Sequence, residues 1–458
     1  MDKAKQKRVL LLHPPGKLRY QRDTFCSSVA KGSYAFPPGD LLLLSGSFGA
    51  DVHVEALDAL AEGLDPQQLR MRLDPNAWDL IVVQTATASW PEDAPVLRWL
   101  GERGARVALN GDYALTHAAA VLGDPDSGVS AVVTDMFAGG LGHWLQGAAH
   151  PPGLLLRDQP ADATTAPIAA LRPRHGIFPL RRYSLPWAIH RPVTTVYASL
   201  GCPMHCAFCL AGTTTFRRRP TDDVLAELHD VRRAGAKEVV FFDSLFNAQP
   251  SRARELTEAI RLARLGLSWS CFSRVDLVDE DTARQWRAAG CHTVLLGLES
   301  GSDRVLARMN KQQTTADARR AVAILRRAGL RVCAFFLLGY EGETDAEIAQ
   351  TVQFAASLDL LLASFQAVVP FAGTPLGEAL RDRTGKILDP VGFDDDRRPM
   401  SLAEHRTPEQ LAHLCDQAYR TFYLRPGYVA NRALMLRSAS EAWGVAREAI
   451  HLVRRRRS

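Results

Sequence analysis

The 458-residue chain reads as an α/β protein built from two sheets in series. An N-terminal doubly wound domain (residues 1–148) is followed by a partial (β/α)6 barrel (193–380) and a helical C-terminal region (381–458). Three observations lead to that architecture. Two series of short apolar runs alternate with helix-length amphipathic stretches, the pattern of parallel sheets covered by helices. A proline-rich stretch, 149–192, separates the two series. In the second series, three cysteines fall within eight residues, directly after the first apolar run.

The first series comprises Val9–Leu12, Val52–Ala56, Leu80–Gln84, Arg106–Asn110 and Ala131–Thr134, each short and apolar and spaced by helical stretches. A doubly wound, Rossmann-like sheet binds its ligands beyond the carboxyl ends of the strands, which singles out Thr85, Thr87, Asn110 and Gly111. His53 opens the second run and reads as a strand-end histidine rather than a metal ligand.

Between the series stand Pro151, Pro152, Pro160, Pro167, Pro173, Pro179, Pro186 and Pro192, a composition that reads as a linker. Arg172, Arg174, Arg181, Arg182 and Arg191 make it basic. A solvated connector is the simple reading, and cover for an acidic substrate the sharper one.

The second series gives six strands: Val193–Leu200, Glu238–Asp243, Ser268–Arg274, Thr293–Glu299, Arg331–Gly339 and Ser364–Val369. Val239–Phe242 and Val332–Leu338 are continuous apolar runs, as expected of parallel strands covered on both faces. Helix starts lie between them: Thr344 and Glu347 have capping-box spacing, and Thr314 and Asp317 resemble one. Right-handed strand-helix units of this kind close toward a barrel whose chemistry gathers at the strands' carboxyl ends. Asp243, Arg274, Glu299 and Gly339 occupy those ends. Carboxylates and a guanidinium converging on one rim suit a zwitterionic ligand, and a glycine lets backbone approach it. Beyond Pro375 the pattern turns helical, with Thr407–Tyr423 and Val429–Val453 as amphipathic helices.

Cys202, Cys206 and Cys209 sit on the loop after the first barrel strand. A 4Fe-4S cluster ordinarily takes four thiolates, so a loop supplying three leaves one iron open to a small molecule. A Cys3His zinc site with His205 is the alternative. Against it, His205 directly precedes Cys206, and neighbours on a tight loop seldom both turn toward one ion. Cys26, Cys271, Cys291, Cys333 and Cys415 are scattered and read as free thiols of a reducing compartment.

A net charge of +5 is small for this length and does not mark a nucleic-acid binder. Lys3–Arg8 followed by Val9–Leu12 imitates a signal peptide, but the apolar stretch stops at His13-Pro14-Pro15. No run approaches a membrane span, so the expected place is the cytoplasm. The basic tail Arg454–Arg457 could make weak contact with an anionic membrane surface.

The Cys-x3-Cys-x2-Cys loop, with Phe208 before its third cysteine, resembles the signature of the radical S-adenosylmethionine (SAM) superfamily. Further segments sharpen the likeness: Phe241-Phe242-Asp243, Gly297-Leu298-Glu299-Ser300-Gly301-Ser302, Leu306–Lys311, Gly339–Thr344, Gly373-Thr374-Pro375-Leu376 and Phe422–Pro426. They are similar to the cobalamin-binding radical SAM proteins, which include anaerobic magnesium-protoporphyrin monomethyl ester cyclases and class B carbon methyltransferases. The resemblance implies that Cys202, Cys206 and Cys209 hold a 4Fe-4S cluster whose open iron chelates SAM. It also implies that Phe208 lies against the adenine, and that Asp243, Arg274, Glu299 and Gly339 complete the SAM site. The N-terminal domain then becomes a cobalamin-binding type, with Thr85, Thr87, Asn110 and Gly111 toward the cofactor. Its Pro14-Pro15 and Pro37–Asp40 segments fit that pattern. The Asp-x-His-x-x-Gly lower-ligand motif is missing, since Asp51-Val52-His53 has Ala56 where glycine is needed. Asp135–Gly140 stands where the family usually has Gly-Glu-x-Glu.

The implied function is cobalamin-dependent methylation of an unactivated carbon through a 5'-deoxyadenosyl radical. The expected partners are a small or medium-sized metabolite and an electron donor such as flavodoxin or ferredoxin. Radical-mediated oxidative cyclisation or rearrangement is the competing chemistry. A non-catalytic sensor with a vestigial cobalamin domain is the reading from a different class.

Overall fold

A computed structural model of the chain describes residues 6–30, 32, 34–157, 166–384, 402 and 406–434. Two six-stranded sheets carry the architecture. The first contains β1 (Arg8–His13), β2 (His53–Asp58), β3 (Leu80–Gln84), β4 (Val107–Asn110), β5 (Ala131–Val133) and β6 (Leu154–Leu156), in the order β2-β1-β3-β4-β5-β6. The strand order reverses at β1, which makes the crevice between the ends of β1 and β3 the topological switch point. Leu10, Leu12, Ile81 and Val83 line one face of this sheet, and Val9, Leu11, Leu80 and Val82 the other; all are buried.

The second sheet holds β7 (Val193–Val196), β8 (Glu238–Phe241), β9 (Ser268–Ser273), β10 (Cys291–Glu299), β11 (Arg331–Leu338) and β12 (Leu362–Ala367). They pair in sequence order and every pairing is parallel, so the sheet is an open half-barrel. Helices Thr221–Arg233, Pro250–Ala263, Glu280–Ala288, Thr315–Arg327 and Asp345–Ser357 connect the strands. Thr344 with Glu347 and Thr314 with Asp317 both form the full reciprocal capping box, which satisfies two otherwise orphan amides at each helix start. The helix at Pro408–Tyr423, capped by Thr407 and Gln410, packs Phe422 and Tyr419 against Phe365 of β12.

Two boundaries differ from the sequence reading. The strand expected over Val193–Leu200 ends at Val196, because the chain bends at Ala198. Ser199 and Leu200 instead pair antiparallel with Arg217 and Arg218, closing the base of the cysteine loop. Residues 149–192 are more than a connector: Leu154–Leu156 adds to the first sheet as an antiparallel edge strand. Farther along, Tyr183, Leu185 and Trp187 are buried, and the Trp187 indole donates to Ser270 Oγ at 3.1 Å. Proline composition hides these packing residues. Arg174 is not solvated either, since its guanidinium donates to the carbonyls of Phe48, Gly49 and Val52.

The described part of the expected helix Val429–Val453 is the segment Pro426–Leu434; the rest, with the tail Arg454–Arg457, lies outside the described residues. No described helix is long and apolar enough to cross a membrane.

Candidate functional site

The cysteine loop leaves β7 at its carboxyl end, and glycines set its shape. Gly201, at φ 72°, precedes Cys202, and a Cβ there would lie 2.7 Å from the Thr214 and Thr215 carbonyl oxygens. A Cβ on Gly212 would come 2.5 Å from the Met204 carbonyl oxygen. The Cys202 amide donates to the Ala211 carbonyl at 3.0 Å, and the Cys209 amide to that of Cys206 at 3.1 Å. The loop is also pinned from outside. The Ala207 amide donates to the Met309 carbonyl at 2.9 Å, Asn310 Nδ2 to the His205 carbonyl at 2.7 Å, and the Leu376 amide to the Ala207 carbonyl at 2.9 Å. Two motifs far away in sequence, Leu306–Lys311 and Gly373–Leu376, therefore meet at the cysteines.

All three cysteines are free thiols, with Cys206 buried and the others half-buried. Burial pushes the Cys202 thiol up and that of Cys209 to about 11, so a cationic metal centre is what would hold them as thiolates. His205 is exposed, whereas Cys206 is buried. Among the described residues no three His, Cys, Asp or Glu side chains gather about one ion position. A 4Fe-4S cluster binds each thiolate to a separate iron, whereas zinc needs its ligands about one point, so three cysteines on one loop suit the cluster.

The rim residues fall into two groups. Arg274, just past β9, directs Nη1 at Cys206 Sγ (3.8 Å) while donating to the Lys311 carbonyl at 2.8 Å and to Asp276 at 3.0 Å. Glu299, ending β10, accepts from Lys311 Nζ at 2.7 Å, and this ammonium lies 5.9 Å from the centre of the Phe208 ring. Arg274, Glu299 and Phe208 thus converge on the loop. Lys311 joins them without having been assigned a role from sequence. The only hint was its place in Leu306–Lys311, because its contact with Glu299 depends on a bulge in β10.

Asp243 and Gly339 are arranged differently. Asp243 is buried, and its Oδ1 accepts from the amide and hydroxyl of Ser199, the residue two before Gly201. Its Oδ2 is buried without a partner, and burial pushes the carboxyl up to about 7. The Gly339 amide, at φ 81°, donates to Glu343 Oε2 at 2.6 Å, and the Leu411 side chain covers the glycine.

In the first domain, Thr85, Thr87, Asn110 and Gly111 all lie at the carboxyl ends of β3 and β4 and are buried. The chain itself engages most of their polar groups. Thr85 Oγ1 donates to Asp93 at 2.8 Å, Asn110 Nδ2 to Asp40 at 2.9 Å, and the Thr87 amide to Asp112 at 3.0 Å. Gly111, at φ 123°, packs so closely on the Thr85 carbonyl that a Cβ would come within 1.7 Å. At the switch point the buried Arg22 donates to the carbonyls of Pro14 and Pro15 and forms an ion pair with Asp93. Thr87 Oγ1 and Gln84 Oε1 remain buried without partners, the two atoms there that a ligand could satisfy. Of the histidines on β1 and β2, His13 is held by Asp58 at 2.9 Å, and His53 begins β2, at the end away from the crevice.

Beside this edge lies a buried carboxyl pair. Asp23 accepts from the Asp40 amide at 3.0 Å, and Asp40 accepts from Tyr197 of the barrel at 2.7 Å. Burial, and then the Asp40 charge, push Asp23 up to about 8. Gly39 sits close to Thr195 and Phe242, so the carboxyl edge of the first sheet faces that of the second.

Residues 196–355 match the model of the radical SAM superfamily. The chain is 28% identical over 421 residues to an uncharacterized methyltransferase of Pyrococcus horikoshii, covering 85% of this chain and 88% of that one. The methyltransferase TsrM of Kitasatospora setae, solved with cobalamin and a [4Fe-4S] cluster bound, superposes with a TM-score of 0.64 at 17% identity, over 89% of this chain and 81% of that one. The cobalamin-dependent radical enzyme OxsB with aqua-cobalamin bound superposes with a TM-score of 0.65 at 12% identity, over 98% and 72%. The three-cysteine loop, the parallel half-barrel behind it and the family match together identify residues 196–355 as a radical SAM domain, in a chain that shares its fold with TsrM and OxsB.

Proposed function

We propose that the protein is a radical SAM enzyme that methylates an unactivated carbon of a small or medium-sized metabolite. Cys202, Cys206 and Cys209 would hold a 4Fe-4S cluster, and cobalamin would sit at the carboxyl edge of the first sheet. When bound, the cluster and SAM supply one-electron chemistry that opens a radical on the substrate, and cobalamin supplies the methyl group. The protein's part is to bind, orient and shield. Phe208 offers a ring face to the adenine, the free Oδ2 of Asp243 an acceptor for the SAM ammonium, and Arg274 a donor fork for its carboxylate. Glu299 acts with Lys311, and Gly339 brings backbone to the rim. Thr85, Thr87, Asn110 and Gly111 would face cobalamin. An electron donor such as flavodoxin or ferredoxin, and the reducing cytoplasm where free thiols persist, complete the setting.

The observation that carries this reading is the opposition of the two carboxyl edges across Tyr197 and Asp40, with the cysteine loop at the seam. Transfer between two bound cofactors requires that proximity. Anaerobically reconstituted protein should show iron-sulfur absorption and, once reduced, convert SAM to 5'-deoxyadenosine. Replacing Cys202, Cys206 and Cys209 by alanine should abolish both. A wild type that takes up no iron sinks the proposal.

One observation favours a second reading, radical SAM chemistry without cobalamin: the Thr85 hydroxyl, the Asn110 amide and Gly111 are already engaged by the chain. Protein incubated with hydroxocobalamin and desalted decides between them. Retained colour supports methylation, and a colourless protein that still cleaves SAM supports the second reading.

A further inference from the structure

We propose that Lys311, held by Glu299, and Arg274 are positioning residues that set the reduction potential of the cluster; the inference rests on the cluster assigned above to Cys202, Cys206 and Cys209. The side chains of Lys311 and Glu299 are each 8% exposed. An ammonium this deeply buried persists only beside negative charge. Glu299 Oε1, 2.7 Å from Nζ, supplies that charge. Arg274 brings the second cation to the Cys206 sulfur, directing Nη1 at it while Nη2 holds the Lys311 carbonyl.

The backbone is bent to make this arrangement. The register between β10 and β11 shifts at Gly297–Glu299, and Glu299 adopts φ 62°. Asn310 and Gln312, on either side of Lys311, sit at φ 51° and 54°. A Cβ on Gly297 would fall 2.4 Å from Glu299 Oε1 and 3.0 Å from Lys311 Nζ, so a side chain there would displace the ends of the pair. Asn310 caps the helix Asp303–Arg308 in a Schellman turn, its amide donating to the Ala307 carbonyl and that of Lys311 to Leu306. Glu299 and Gln312, left-handed without such a cap, are a cost that a merely structural salt bridge does not call for. Fixed positive charge beside a cluster favours the state carrying the extra electron, which raises the potential. The effect is larger where water is excluded. Glu299 and Asp276 moderate the two cations, so the net field at Cys206 is set by all four side chains.

The test is an anaerobic redox titration of reconstituted protein without SAM, followed by electron paramagnetic resonance of the reduced cluster. Lys311→Met and Arg274→Met should shift the potential to more negative values, and Glu299→Gln to more positive ones. Arg274→Lys, which keeps the charge, should stay near wild type. Should Lys311→Met fail to fold, the double variant E299M/K311M removes the pair without leaving a lone charge. It should titrate between Glu299→Gln and Arg274→Met. Cluster-loaded variants that titrate at the wild-type potential, or Lys311→Met and Glu299→Gln moving in the same direction, overturn the inference and leave the cluster assignment standing. A wild type that assembles no cluster overturns both.

Discussion

The carboxyl edges of the two sheets differ in electrostatics as well as in strand order. At the first, Asp23, Asp40 and Asp112 are fully buried, and burial pushes Asp23 to about 8 and Asp112 to about 6. At the second, Arg274 and Lys311 crowd the thiols of Cys202, Cys206 and Cys209. The first edge raises its buried carboxyls and closes the switch point with Arg22, leaving Thr87 Oγ1 and Gln84 Oε1 without partners. The second aims cations at sulfurs that become anionic when they bind metal. Parallel strands supply a crevice in both places; side-chain charge decides which kind of ligand each suits.

Five variants probe that contrast. The largest effect is expected at the cationic edge. Lys311→Met leaves Glu299 buried and unpaired and should cost about 3–5 kcal/mol in urea unfolding, whereas E299M/K311M should restore most of it. Equal losses in the two variants would mean that the pair is not energetically coupled.

At the acidic edge the signature is pH dependence. The folded state holds the Asp23 proton up to about pH 8, while the unfolded chain releases it near 3.8. The folded state therefore binds more protons across this window, and stability must fall as pH rises from about 4 to 8. Asp112, Asp243 at about 7 and Glu343 at about 7 act with the same sign. Asp23→Asn mimics the protonated acid, so it should match wild type near pH 5 and flatten part of the slope above it. A slope unchanged in Asp23→Asn would show that the pair does not hold the proton.

Tyr197→Phe tests the seam itself by removing the hydroxyl that donates to Asp40, with an expected loss of about 1–3 kcal/mol. The smallest effect is expected at His205. Being exposed, its replacement by alanine should stay within about 0.5 kcal/mol and leave iron content unchanged; lost metal would bring back a histidine-ligated site.

Much of the fold was legible because period and composition are local. The expected strands of both sheets lie within two residues of their places, apart from β7, whose end is set by the bend at Ala198. The edge strand Leu154–Leu156 was hidden by its proline-rich surroundings, since an edge position needs only one neighbour and little length. At the site, the cysteine spacing and the strand-end residues were readable. The partners were not: Ser199 for Asp243, Glu343 for Gly339, Lys311 for Glu299 and Tyr197 for Asp40 are all pairings that folding creates.

By itself the sequence determined the two α/β units and the loop that carries three thiols, because those signals lie within a few consecutive residues. Tertiary structure alone decided the charge at each carboxyl edge. It brought Lys311 to Glu299 through a bulge and two left-handed turns, and placed Asp23 beside Asp40, residues 17 apart, in the seam between the sheets. Burial sets the protonation of such groups, and burial depends on the whole packed chain.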